Sequence, residues 1–171
     1  MKTYKVSSTR EMEQFKDEYG YRVNGNLEVL CSLDFKGRLL VEGNLSIEAK
    51  YSIEAGGFIE AGYYIKAGDY IEAGDYIEAG GSYGISAGLQ ITCKGVLKYG
   101  LKCFAGICLC REITTAEKTI TCGKNEGGVI EHGILKETGI PETKPETIIE
   151  VNGKKYSAST IQEALKRYVN E

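Results

Sequence analysis

The sequence predicts an all-β fold: a three-sided β-solenoid (β-helix) of about five or six coils, with an N-terminal capping helix and a C-terminal hairpin–helix appendage. The main observation is a six-residue phrase that recurs between Ile47 and Gly80, as IEAKYS, IEAGGF, IEAGYY, IKAGDY, IEAGDY and IEAG. Such a period indicates a backbone that turns a corner every six residues. The composition agrees, because 22 Gly, 2 Pro and no Trp in 171 residues fit a tightly turning β chain.

Each phrase reads as a short strand followed by a corner. Its Ile and Ala are two residues apart, so in an extended strand both face inward, and the Glu between them faces water. The Gly and Asp that follow are corner residues, because Gly adopts positive φ freely and Asp tolerates it. Three such sides close a coil of about 18 residues.

The period is predicted to run from Val23 to Leu109, as about fifteen phrases with two extra residues after Ile77. Early phrases then place small residues two positions after the branched one, at Gly25, Cys31, Gly37 and Gly43. Stacking by coils predicts three inward columns, which are Val23, Val41, Ile59, Ile77 and Leu97; Val29, Ile47, Ile65, Ile85 and Cys103; and Phe35, Ile53, Ile71, Ile91 and Leu109.

Residues 1–20 are predicted to form a helix that caps the solenoid of residues 21–136. Ser8 to Glu11 has the form of a capping box, and Met12, Phe15 and Tyr19 follow on one apolar stripe. An open coil end is an edge strand that invites polymerisation, so we expect the helix to cover it.

A linker of residues 137–146, bracketed by Pro141 and Pro145, leads to a ββα unit of residues 147–171. The predicted elements of this unit are a strand at Thr147–Val151, a type I′ turn at Asn152–Gly153, a return strand at Lys154–Ser157 and a helix opened by a capping box at Ser159–Gln162. The unit can cap the solenoid, form a homodimer with a second chain, or dock on a partner.

The net charge of −3 is unevenly distributed. Residues 41–90 hold eight acids and two bases, a net of −6. Three acidic stacks are predicted: Glu42, Glu60 and Glu78 on one face, Glu54 and Glu72 on another, and Glu48 meeting Lys66 on the third. B-DNA presents one phosphate per ~1.7 Å of its axis, and a rod of regularly spaced carboxylates can imitate that field. The alternative is that these acids only keep the solenoid soluble.

The residues predicted to bind a partner are therefore mostly acidic, with tyrosines at the corners as amphipathic contact area. They are Glu42, Glu60, Glu78, Glu54, Glu72, Asp69, Asp75, Tyr64, Tyr70 and Tyr76. Packing over the corners is an equal alternative for the tyrosines, because Phe58 takes the same slot in its phrase.

No catalytic residue, metal site or cofactor is predicted. Cys31, Cys93 and Cys122 occupy the Ala slot and Cys103 the Ile slot, which favours buried structural thiols over a metal or redox site. His132 is the only histidine and lies outside the regular coils. The N-terminus MKTYKVSSTREMEQF shows no signal peptide and no stretch is long and apolar enough to span a membrane, so we expect a protein of the bacterial cytoplasm with reduced cysteines.

The phrases IEAGGF, IKAGDY and IEAGDY, preceded by GNLEV and VEGNLSIEA, resemble short proteins of phages and prophages of Gram-positive bacteria, over roughly residues 1–110. The resemblance implies a non-enzymatic inhibitor of host defence, such as an anti-CRISPR or anti-restriction protein. Its partner would be the basic surface of a CRISPR effector or another nuclease, and direct nucleic-acid binding through the acidic repeats is not expected. A second resemblance, to bactofilins, implies a structural, self-assembling solenoid.

A third resemblance is to hexapeptide-repeat acyltransferases, which are left-handed β-helices that generally use a His base. The phrase Ile-Glu-Ala-Gly matches their repeat in its first two positions but departs from it at the fifth, where Gly, Tyr or Asp stands. His132 would be the base of such an enzyme, with only Glu131 beside it to orient it. This alternative is the minor one.

Overall fold

Stacked parallel strands build the predicted β-solenoid, with about five coils, in a computed structural model that describes residues 1–108, 111–140, 148–151 and 154–157. The chain divides into two units, Met1–Ile140 and Pro141–Glu171. The first unit holds the solenoid, and the second holds an antiparallel strand pair.

The coil wall has three faces, each a ladder of parallel strands. The first face consists of Gly20–Val23 (β2), Arg38–Val41 (β5), Ile59–Ala61 (β8) and Ile77–Ala79 (β11). The second consists of Thr3–Val6 (β1), Asn26–Val29 (β3), Leu45–Ile47 (β6), Ile65–Ala67 (β9) and Ile85–Ala87 (β12). The third consists of Leu33–Phe35 (β4), Ile53–Ala55 (β7), Ile71–Ala73 (β10), Ile91–Cys93 (β13), Thr119–Cys122 (β15) and Ile134–Glu137 (β17).

Two longer strands continue around the corner between the first and second faces. They are Val96–Ala105 (β14) and Lys124–His132 (β16), which pair with each other along both faces. β14 follows β11 on the first face and β12 on the second. The last two strands, Ile148–Val151 (β18) and Lys154–Ser157 (β19), pair antiparallel and confirm the predicted hairpin strands. The turn at 152–153, the linker from Pro141 onward and the C-terminal helix lie outside the described residues.

The core follows the repeat. From β7 to β12 the Ile and Ala of each phrase are buried and face inward, and the residue between them faces out. Full burial of an Ile side chain contributes about 1.5–3 kcal/mol, so the Ile columns supply much of the stability. The two-residue slip after Ile77 is confirmed, because Ile77 pairs with Ile59 and Ile85 with Ile65.

Within the first coils Val23 pairs with Val41 and Val29 with Ile47, as predicted, but the predicted register between these coils and the middle coils is wrong by two residues. Leu39, not Val41, pairs with Ile59, and Leu45, not Ile47, pairs with Ile65. The cause is a second two-residue insertion in the corner 48–52, where Lys50 has a φ of 70°. The sequence hides this insertion, because Ile47 and Ile53 are six apart like the regular phrases.

The inward pairs of the early coils therefore have a Leu or Tyr followed by a branched or aromatic residue, as in Tyr21/Val23, Leu27/Val29, Leu33/Phe35, Leu39/Val41 and Leu45/Ile47. The predicted small partners Gly25, Cys31, Gly37 and Gly43 lie in corners instead. The third column also differs at its end: Ile91 pairs with Ile120 rather than with a residue at position 109. Leu109, the predicted last member of that column, lies outside the described residues, and a 3-10 turn at Ala116–Lys118 precedes β15.

Corners stack backbone on backbone, which explains the recurring glycine. A Cβ added to Gly74 would clash with the carbonyl oxygen of Gly56 in the preceding coil. Only glycine permits this approach.

The N-terminal segment differs from the predicted helix of residues 1–20. β1 comes first and pairs with β3, and the helix spans only Thr9–Met12 (α1), followed by a 3-10 turn at Glu13–Phe15. Glu11 accepts hydrogen bonds from the backbone N–H (2.8 Å) and the hydroxyl of Ser7, and the N-cap residue Ser8 makes no side-chain capping hydrogen bond. Met12 is fully buried, but Tyr19 is 64% exposed and lies off the apolar stripe.

Candidate functional site

The third face carries the longest acidic column of the solenoid. Asp34 pairs in register with Glu54, and Glu54 with Glu72, so three outward carboxylates occupy consecutive coils. Neighbouring strands in a sheet are about 4.8 Å apart, which sets the spacing of these positions along the solenoid axis. Beyond Glu72 the column continues with Thr92, Thr121 and Lys136.

These three acids have no basic partner within the described part of the chain, since none of its ion pairs involves them. Like charges directly opposite each other on a sheet destabilise it, so the column costs the free protein some stability. The prediction placed Glu54 and Glu72 together but missed Asp34. The signal was present, because Leu33-Asp34-Phe35 has the same apolar–acidic–apolar form as Ile-Glu-Ala.

The first face carries acids that are compensated. Glu60 and Glu78 pair in register as predicted, and Lys98 follows Glu78 in the next coil. The Lys98 ammonium donates a 2.7 Å hydrogen bond to Glu78. Glu126 comes next in this column, opposite Lys98.

Glu42 does not belong to that column, and its predicted stacking on Glu60 is wrong. Leu40 is the residue that pairs with Glu60. Glu42 lies in the corner after β5, with a carboxylate oxygen 4.0 Å from the guanidinium of Arg22. The two-residue register error of the early coils accounts for the difference.

An aromatic stack occupies the corner between the third and first faces. The rings of Phe58 and Tyr76 lie 4.5 Å apart and nearly parallel, at 11°. The Arg38 guanidinium lies over the Phe58 ring at 5.7 Å. The Tyr76 hydroxyl donates a 3.3 Å hydrogen bond to Glu60. Burial, followed by the charge of Glu60, raises the pKa of Tyr76 to about 12.

The other predicted contact residues are distributed around the coil. Asp75 is exposed in the same corner as Tyr76. Asp69 and the half-buried Tyr70 lie in the corner before β10, where Asp69 accepts a 3.4 Å hydrogen bond from the Ser52 hydroxyl. Tyr64, 39% exposed, precedes β9 and lies apart from the third face.

The second face has no acidic column, and the predicted meeting of Glu48 with Lys66 is wrong. Ser46 pairs with Lys66, because Glu48 lies in the corner after β6. Two shallow depressions follow this face because its outward residues include small serines. One, of ≈410 Å³, is lined by Lys5, Glu28, Ser46, Glu48 and Lys66 among others; the second, of ≈440 Å³, by Tyr64, Lys66, Ser86, Leu101, Lys102 and Phe104 among others.

The cysteines of the last regular coils are buried thiols. Burial raises the pKa of Cys93 and Cys103 to about 12 and that of Cys122 to about 11. Because the thiolate is the reactive form, these side chains are chemically inert at neutral pH. Cys31 is only half-buried, in a corner, and departs from the predicted inward slot. His132 is exposed at the end of β16.

Among the residues that the structure describes, no three His, Cys, Asp or Glu side chains are grouped so that they could hold a metal ion. None of the helices described has the length and apolar character needed to cross a bilayer. The wall of the solenoid thus carries one uncompensated acidic column, which we call the third-face column (Asp34, Glu54 and Glu72).

Comparison of the chain with models of protein families, with curated proteins and with solved structures found no match.

Proposed function

We propose that the protein is a non-enzymatic inhibitor whose third-face column occupies a DNA-binding channel of a nucleic-acid-handling protein. One observation supports this proposal most directly. Three carboxylates lie in register on consecutive coils and have no basic partner in the described part of the chain. The inhibitor would act in the cytoplasm of a phage-infected bacterium. Its partner would be a CRISPR effector or another nuclease.

The axial spacing supports imitation of a nucleic-acid backbone. Coils separate the third-face carboxylates by about 4.8 Å, and phosphates along one DNA strand are about 3.4 Å apart. The two spacings differ by about 1.4 Å per step, or about 3 Å over the three acids, which the long, flexible Lys and Arg side chains of a channel can accommodate. Charge complementarity of this kind mainly accelerates association and selects the partner.

The scaffold supports tight binding because it is already ordered. Every acid of the third-face column lies at the centre of a three-residue strand whose two flanking side chains point inward. Holding the charges in place before binding lowers the entropy that association must overcome. A flexible acidic tail with the same charge lacks this advantage.

The test compares two triple variants of equal net charge. Asp34→Lys, Glu54→Lys and Glu72→Lys reverse the third-face column, whereas Glu18→Lys, Glu42→Lys and Glu112→Lys reverse exposed acids elsewhere. Each protein is immobilised, exposed to a bacterial lysate and washed with duplex DNA or with polyglutamate. We expect the wild type and the control triple to capture nucleic-acid-handling proteins that duplex DNA displaces better than polyglutamate does. The third-face triple should capture none of them.

Two results would overturn the proposal. One is retention of the same proteins by the third-face triple. The other is failure of duplex DNA to displace them, which would show that the acids do not occupy the DNA-binding channel.

A further inference from the structure

The two ends of the solenoid differ in how well they are covered. At the N-terminal end, Val6 of β1, Met12 of α1 and Val23 of β2 are all fully buried. At the other end, large apolar side chains are in contact with water. They are Val129 (58% exposed), Ile134 (38%), Leu135 (36%) and Ile140 (52%).

The first and last coils are alike in strand pairing, because within the described residues β1, β2 and β4 also pair with a strand on one side only. Within the described residues β16 pairs only with β14, and β17 only with β15. Their outer edges present unpaired backbone groups, which are templates for a further strand. The interior of this coil is not apolar throughout, since Asn125 pairs with Leu97 and Gly127 with Tyr99. We call this surface the open end (β16, β17 and Ile140).

We propose that the open end is the interface of a two-fold symmetric dimer, in which two copies of this chain meet tail to tail. A head-to-tail contact would need the N-terminal end as its partner surface, and there α1 covers the core with the fully buried Met12, so the described residues of that end offer no apolar surface to a second copy. A surface that meets its own copy around a two-fold axis makes a closed pair and not a fibre. This inference is independent of the proposed function.

The course of β16 defines a register for the pair. Residues 124–127 lie on the first face and residues 129–132 on the second, so Gly127 and Gly128 mark the corner between them. A two-fold axis through this corner and through the middle of the third face lays β16 antiparallel on the β16 of the second copy. Asn125 then meets Ile130 of the second copy, and both are at inward positions.

The same register is self-complementary in charge. Lys124 of each copy lies opposite Glu131 of the other, so two cross-copy ion pairs form around the axis. Lys124 and Glu131 are exposed and at present bind Glu126 and Lys102 of their own chain. Opposite charges directly across an antiparallel pair stabilise it.

The test is a charge swap on the full-length chain, read by light scattering coupled to size exclusion. The wild type is expected at twice the chain mass of 18.7 kDa. Lys124→Glu alone and Glu131→Lys alone should each weaken dimerisation at least tenfold, because each places like charges opposite one another. The combined variant should restore the dimer. Val129→Glu, at a side chain already 58% exposed, places a like charge opposite Glu126 of the second copy and should abolish the dimer without unfolding the chain.

A matched control lies at the closed end. The ion pair of Lys5 with Glu28 is equally exposed, so Lys5→Glu should leave the mass unchanged. Circular dichroism of every variant checks that the solenoid is folded. A monomeric wild type, a mass that grows without limit, or a dimer that neither single variant weakens would overturn the proposal. A dimer broken only by substitutions in residues 141–171 would also overturn it, by assigning the contact to the second unit.

Discussion

The first and third faces are built from the same six-residue phrase, but they differ in charge. On the third face Asp34, Glu54 and Glu72 follow one another without a base. On the first face Leu40 precedes Glu60, and Lys98 follows Glu78 and binds it. The two faces differ because the number of residues in each coil decides which acids stack. The insertion in corner 48–52 brings Asp34 into line with Glu54 and moves Glu42 out of line with Glu60.

The largest expected effect comes from breaking the corner that joins the two faces. Gly74→Ala places a Cβ against the backbone of Gly56, and we expect a loss of about 3 kcal/mol in the free energy of unfolding. Urea denaturation measures it. Gly81→Ala is the matched control, because nothing lies within 4 Å of its added Cβ, and we expect a change within about 0.5 kcal/mol. Equal midpoints for the two variants would contradict the backbone-on-backbone packing.

Reversing charge on each face separately tests which column recognises a basic partner. Glu54→Lys with Glu72→Lys should weaken binding of an oligolysine peptide about tenfold per charge, or about 1.4 kcal/mol each. Glu60→Lys with Glu78→Lys should weaken it less, because Tyr76 and Lys98 already engage those carboxylates. Fluorescence anisotropy at low salt gives both affinities. Equal losses would mean that net charge, and not the third-face column, governs binding.

Neutralising one acid on each face should change stability in opposite directions. Glu54→Gln removes a like-charge contact with Asp34 and Glu72, and we expect it to stabilise the fold by about 0.5 kcal/mol. Glu78→Gln removes the 2.7 Å ion pair with Lys98, which we expect to outweigh the relief of its like-charge contact with Glu60, and should destabilise the fold slightly. Thermal unfolding at low salt measures both signs. The two differences should shrink in 1 M NaCl, where the Debye length is about 3 Å, and differences that persist there would exclude an electrostatic cause.

The smallest expected effect concerns Tyr76 at high pH. Its pKa in the folded protein, about 12, is above the ordinary 10.0, so the fold favours the neutral phenol. The resulting stability is fully present below pH 10 and is lost as the pH rises through 12. Tyr76→Phe should therefore reduce the loss of stability between pH 10 and pH 12. It should also remove one phenol from the late part of an alkaline absorbance titration, and an unchanged titration would place the Tyr76 hydroxyl in water.

The architecture was readable from the sequence because the repeat couples its period directly to geometry. An apolar pair two residues apart and a glycine at the corner predict the solenoid, and the columns from Ile59 to Leu97 follow from counting. The slip after Ile77 was visible because it interrupts the phrase. The insertion in corner 48–52 was not, because it falls where Leu-x-Ile gives way to Ile-x-Ala and leaves the spacing of isoleucines unchanged.

The candidate surface was only partly predictable for the same reason. Glu54, Glu72, Glu60 and Glu78 lie within the regular coils, so their pairing was predicted correctly. Asp34 and Glu42 lie before the hidden insertion, and their partners changed with the register. The roles of Lys98 and Tyr76 depend on side-chain reach across coils, which the sequence does not encode as a pattern.

Within the described residues the first coil is better covered than the last coil, and this difference favours one end of the solenoid as the place where unfolding starts. Strands of each coil pair only with the coils directly before and after it, so local opening can spread one coil at a time. Every residue of the terminal strand β17 is exposed, so this strand buries little apolar surface and should open first. The fully buried isoleucines of the middle coils should become exposed later. Within Met1–Ile140 we therefore expect unfolding to start at the C-terminal coil, and a molecule that binds there should slow the unfolding of the coils beneath it.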